Sequence, residues 1–194
     1  MSTANPSTPV ILEPGLYGPR GWTVSAGVWD VLADYPGLHP ERTPVSCGLP
    51  QGRIQDGKPV DDYTPFHDLG PQAAARLLQI LPAEQLEDRQ NLSPTLGAML
   101  RACVKAEGRV RLSGYGIGPQ RADERIAVEA LWIADPDLLE MELHATHDAG
   151  CQCSELWDAV RERCDLDAVC MPDEIRKVSR RPNEGPTGMW MWWD

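Results

Sequence analysis

Four of the six cysteines and two of the four histidines fall in one stretch, in the order His144, His147, Cys151, Cys153, Cys164, Cys170. Imidazole and thiolate are the side chains that zinc prefers, and a tetrahedral site needs four donors converging at about 2.0 to 2.3 Å from the metal. His144 with His147 and Cys151 with Cys153 form two close pairs, and Cys164 and Cys170 are reserves able to replace the histidines in an all-thiolate site. The pairs follow each other directly, without the hairpin or helix that ordinarily separates zinc half-sites, so the spacing matches no diagnostic signature. The expectation is a structural zinc site at His144, His147, Cys151 and Cys153, set against the plainer reading of buried thiols beside surface histidines.

A second constellation overlaps the first. Glu140, Glu142, His144, His147 and Asp148 combine carboxylates with imidazole, a donor set that can hold a catalytic metal and leave room for an activated water. If 137–145 is a strand, Glu140, Glu142 and His144 share one face; if it is a helix, Glu140, His144 and His147 do. A long Pro/Gly-rich loop, 36–71, adds Asp56, Asp61, Asp62, His67 and Asp68, although Asp also shapes turns. No nucleophile motif or phosphate loop supports an enzyme. Gly114, Gly116 and Gly118 lack the strand-turn-helix setting and the Lys-Ser/Thr ending of a nucleotide loop.

The third constellation is the terminal Met189, Trp190, Met191, Trp192, Trp193. Alternation along a strand puts Met189, Met191 and Trp193 on one face and Trp190 with Trp192 on the other. Trp and Met are enriched at partner surfaces, but a Trp side chain also carries a large apolar area into a core. A strand over 188–193 with at least two mostly buried Trp is expected, with Trp190, Trp192 and Trp193 as candidate interaction residues.

These groups must be positioned by the elements around them. Trp22 to Tyr35 carries Val28, Trp29 and Leu32 behind a Ser25 cap, which predicts one helix stopped by Pro36 and Gly37. A short strand is expected at Val10 to Leu12. Pro71 opens a helix with Ala74, Leu77, Leu78 and Leu81 as its apolar stripe, ending at Pro82. Ser93 and Pro94 open the clearest helix, 93–107, where Leu96, Met99, Leu100, Cys103 and Val104 recur every three or four residues before Gly108. Beyond Gly108 the period becomes two: Val110 to Gly114 and Arg125 to Trp132 predict antiparallel strands joined by a polar loop from Gly116 to Glu124. Ser154 is the expected cap of a helix carrying Leu156, Trp157, Val160 and Cys164.

Composition bounds the function. The net charge is −11, which argues against tight binding to a phosphate backbone, and the basic run Arg176, Lys177, Arg180, Arg181 reads as a solvated element end. No run approaches the roughly 20 apolar residues of a membrane helix. Residues 1–9 lack the basic start and apolar block of a signal peptide and read as a disordered tail, so a cytoplasmic location with reduced cysteines is expected. Cys47 and Cys103 then read as small core hydrophobes. Lys, Asn and Phe, which have AT-rich codons, are scarce while Ala, Gly, Pro and Arg abound, a bias of high-GC bacteria and their phages.

The sequence thus predicts a single α+β domain over 10–194, with a small antiparallel sheet and several helices. The leading functional expectation is a cytoplasmic binding or regulatory protein acting through a protein partner or self-association, without membrane or nucleic acid, and with a candidate structural zinc. A metal-dependent hydrolase using Glu140 to Asp148, joined by His67, is the rival. An acidic DNA mimic is the third reading, weakened by the Arg residues scattered among its carboxylates.

Overall fold

In the computed structural model, the residues described are 13–37, 54–144, 146, 148–181 and 184–194. The expected strand at Val10 to Leu12, the tail 1–9, Cys47 and His147 lie outside them. The expected helix from Trp22 to Tyr35 is broken into α1 (Trp22–Ser25) and α2 (Val28–Leu32). Gly27 takes φ +74 between them, a left-handed turn that a continuous helix excludes. Ser25 does not cap α2; its hydroxyl donates back to the Gly21 carbonyl.

The stretch expected as a loop over 36–71 contains strands. Ile54–Gln55 (β1) and Lys58–Pro59 (β2) form a tight hairpin around Asp56 and Gly57, both at positive φ, the turn that an Asp-Gly pair favours. Tyr63–Leu69 (β3) joins the main sheet. Pro65 is tolerated there because β3 is an edge strand, where one side of the backbone needs no ladder partner.

Three predicted helices form with shifted ends. The first is α3 (Pro71–Ile80), which buries Ala74 and Leu77 and is followed by the short α4 (Ala83–Leu86). The second, α5 (Leu96–Lys105), is capped by Thr95 rather than Ser93: the Thr95 hydroxyl accepts from Ala98 N. Leu96, Met99, Leu100 and Cys103 are buried, whereas Val104, expected to be buried with them, is only partly so because it sits at the margin of the helix's apolar face. Between them, Val110–Ile117 (β4) and Arg125–Ile133 (β5) pair antiparallel, and then comes α6 (Pro136–Leu139). The segment after Leu139 is neither the strand nor the helix considered for Glu140 to His144. The third helix, α7 (Cys153–Cys164), begins before Ser154 and buries Leu156, Trp157, Val160 and Cys164. Glu174–Arg181 (β6) and Glu184–Trp192 (β7) close the chain as a hairpin.

The main sheet is antiparallel in the order β3-β4-β5-β7-β6, so the fold is the α+β class that the sequence implies. The terminal Met/Trp strand lies inside the sheet, between β5 and β6. Met189, Met191 and Trp193 face the helices and are essentially inaccessible, with Trp193 packed edge-on against Trp157 at 5.5 Å. They share a core with Leu77, Leu100, Leu112, Leu131 and Leu156. Where β7 no longer covers β5, Gln85 does: its side-chain amide donates to the Ile126 carbonyl at 2.8 Å and caps the free edge. The basic run falls on β6, the edge strand at the other side of the sheet from β3, where charge discourages pairing with another chain. Among the described residues no helix is long and apolar enough to cross a membrane.

Candidate functional site

The other face of the sheet is where side chains of interest converge. Register places Arg111, Ser113 and Tyr115 of β4, Trp132, Ala130 and Ala127 of β5, and Trp190 and Trp192 of β7 on it together. Trp132, Ala130, Ala127, Tyr115 and Ile117 are buried, yet none belongs to the core that the helices share. Tyr115, Ile117 and Ala127 form a separate small cluster.

Trp132 organises one end of this face. A Cβ on Gly188 would lie 2.4 Å from its ring, so the missing side chain of Gly188 is what lets the indole cross β7. Its Nε1 then donates to the Val178 carbonyl of β6 at 3.2 Å. The β5–β7 pairing ends at Ile133 with Met189, and the remainder of the β6–β7 hairpin curls back over the open face. Arg180 ends that curl on Asp68, donating from Nε and its Nη2 at 2.7 and 2.8 Å. Arg111 Nε stands 3.9 Å from the same carboxylate. Asp68 occupies φ +60 in the irregular stretch between Phe66 and Leu69, which turns the carboxylate toward the two guanidinium groups.

Next to this ion pair, His67 Nδ1 and Ser113 Oγ are 2.9 Å apart. Further along, Trp190 and Trp192 stack with ring centres 6.3 Å apart and planes 10° from parallel, both half-buried. At the far end Tyr63 stacks on Tyr115 at 4.8 Å, and the Tyr115 hydroxyl donates to Gln90. Burial, reinforced by the nearby Glu129 charge, pushes the Tyr63 phenol up to about 12. Burial, and then the charge of Asp194, raises the Glu129 carboxyl above its ordinary value.

The cysteine and histidine stretch forms a different site. Cys151 and Cys153 come together, but as a disulfide with Cα atoms 5.6 Å apart, which replaces the reduced thiols expected there. His144 is beside them: its backbone N–H donates to Cys151 Sγ at 3.4 Å. Its Nδ1 is bonded to Asp148 and its Nε2 lies 3.5 Å from Glu142, so both ring nitrogens are engaged by carboxylates. The Asp148 bond, more than any other influence, raises the His144 pKa and lowers that of Asp148. Cys164 is separated from Cys153 by the length of α7, about 16 Å at 1.5 Å per residue, and is core-facing, with its thiol pushed up by burial. Cys170 is exposed, its amide bonded to the Leu92 carbonyl and its own carbonyl to Trp193 Nε1. Among the described residues no group of three or more His, Cys, Asp or Glu side chains is arranged to hold a metal ion.

The carboxylates of 56–68 disperse. Asp56 shapes a turn, Asp62 faces Arg121 at 3.9 Å, Asp68 holds Arg180, and His67 is committed to Ser113. The open face itself was missed because its members come from five strands. The Trp190/Trp192 alternation was its one visible sign in the sequence. No family profile, curated protein or solved structure matches the chain.

Proposed function

We propose that this is a cytoplasmic binding or regulatory protein of a high-GC bacterium or phage, and that it acts through protein contacts made by the open sheet face. One observation carries the reading. Neighbouring residues at the end of β7 divide into Trp193, just past the strand and 1% exposed in the core, and the stacked Trp190 and Trp192, half-buried on a face outside that core. Rigid aromatic side chains in such a position are the usual anchors of protein interfaces, since they bury much area with few rotors to freeze.

The charges nearby favour protein over nucleic acid. Arg111 and Arg180 share Asp68, Arg125 is bonded to Asp123, and Arg176 to Glu174, so these guanidinium groups are tied to the chain's own carboxylates instead of forming an open phosphate track. The arginines interspersed with the carboxylates weaken the DNA-mimic reading, since Asp68, Asp123 and Glu174 are each bound to a guanidinium of this chain. The hydrolase reading is weakened by His144, whose two nitrogens already meet carboxylates. Zinc at His144, Cys151 and Cys153 requires the disulfide to be opened, and metal analysis of protein purified under reducing conditions tests that directly.

The face is tested by replacing Trp190 and Trp192 together with Ala. Sedimentation of the pure protein and affinity capture from host extract are then compared with wild type. Loss of self-association, or of a captured partner, with the fold intact supports the reading. Undiminished association removes the face from the binding role.

A further inference from the structure

The Cys151–Cys153 disulfide contributes little that a structural cross-link normally contributes. A disulfide stabilises chiefly by restricting the unfolded chain, and the restriction grows with the length of the loop closed. This one closes over Gln152 alone. The segment is meanwhile held by bonds that do not involve the cross-link. Gln152 N donates to the Glu142 carbonyl, Glu142 N donates to Gln152 Oε1, both at 2.8 Å, and Cys151 N donates to the Asp148 carbonyl at 3.0 Å. Opening the S–S bond would leave these contacts in place.

The two sulfurs differ in the way thiol–disulfide exchange requires. Cys153 is the first residue of α7, twelve residues long, and is 6% exposed. A thiolate there is stabilised by the positive end of the helix, which makes Cys153 the better leaving group. Cys151 is the more accessible, next to the exposed Asp148, Ala149 and Gly150, and its sulfur accepts the His144 N–H.

We propose that Cys151 and Cys153 form a reversible thiol–disulfide exchange site that takes a dithiol, on a small molecule or a protein, as co-substrate. The thiolate of the dithiol attacks Cys151 Sγ, the Cys151–Cys153 bond breaks, and its electron pair leaves with Cys153, which takes a proton from water. The second thiol of the dithiol then attacks the mixed disulfide at its own sulfur. Cys151 departs as a thiolate and is protonated, so the protein gains two electrons and two protons while the dithiol becomes a disulfide.

The full chain, equilibrated in air, is treated with dithiothreitol in native buffer, alkylated, and read by peptide mass spectrometry, which separates this pair from the exposed Cys170. The expected result is complete masking of Cys151 and Cys153 before reduction and labelling of both after it, with an unchanged circular dichroism spectrum. In parallel, Cys153→Ser and Cys151→Ser are treated with oxidised glutathione. Cys151 in the first variant should form the mixed disulfide at least tenfold faster than Cys153 in the second. Two labelled thiols in the air-equilibrated protein, reduction only with loss of the fold, or equal rates in the two variants would each overturn the proposal.

Discussion

Asp68 and Arg180 belong to the two outermost strands of a five-stranded sheet, yet they share a two-pronged ion pair at 2.7 and 2.8 Å. Laid flat, four strand spacings would part those edges by roughly 19 Å. The β6–β7 hairpin therefore bends over the open face, pivoting on Trp132, and the ion pair fixes the bend. Both side chains are mostly shielded from water, so this pair counts for more than a surface salt bridge.

Asp68→Asn and Arg180→Gln should each destabilise the fold by about 1.5 to 3 kcal/mol, since each breaks hydrogen bonds to a charged partner. A double-mutant cycle by urea denaturation should give a coupling energy of roughly 0.5 to 3 kcal/mol. Strict additivity would show that the pair does not hold the hairpin.

Trp193→Ala should cost about 3 to 5 kcal/mol, as a buried Trp leaves a cavity beside Trp157. Trp190→Ala and Trp192→Ala should cost clearly less, because both rings keep contact with water. Equal losses for all three would mean that the two faces of β7 are equally buried.

Gly188→Ala inserts a methyl group where the Trp132 indole lies. The expected penalty is about 1 to 3 kcal/mol, typical of overpacking. Indole emission should change with it, and a neutral substitution would mean that the ring has room to move.

His144 and Asp148 give a signed pH dependence. The raised pKa of His144 means its stabilising contribution is full below the ordinary imidazole value near 6.5 and is lost as pH rises through the folded value. The lowered pKa of Asp148 means its contribution is present above the ordinary carboxylate value and is lost as pH falls through the folded one. The pair is strongest between those limits. In an NMR titration of the ring, Asp148→Asn should bring the His144 pKa down; an unchanged midpoint would contradict the bond.

Burial pushes the Cys103 thiol up to about 12, and its sulfur lies near the Leu69 and Val110 carbonyls. It should resist alkylation at pH 8 in the native state and react once urea unfolds the chain. Rapid native labelling would place it outside the core.

What the sequence by itself determined is the local pattern. The 3.6-residue recurrence of Leu96, Leu100 and Cys103, the two-residue alternation of Val110 and Leu112, and the split of Trp190 and Trp192 from Trp193 each report which side of one element is apolar, and folding preserves that. Even here the ends moved: Thr95 displaced Ser93 as a cap, and Gly27 divided a helix whose periodicity ran through it. The strand β3 was hidden by its one proline, Pro65, and by the prolines and glycines flanking it, because only the sheet order shows that Pro65 lies on an edge. The tertiary structure alone decided that His67 meets Ser113 across 46 residues, that Arg180 reaches Asp68 across 112, and that Cys151 is joined to Cys153 while Cys164 turns into the core. The physical reason is that side-chain period is set by the backbone of one segment, whereas strand order, sheet curl and sulfur pairing depend on how distant segments share a core.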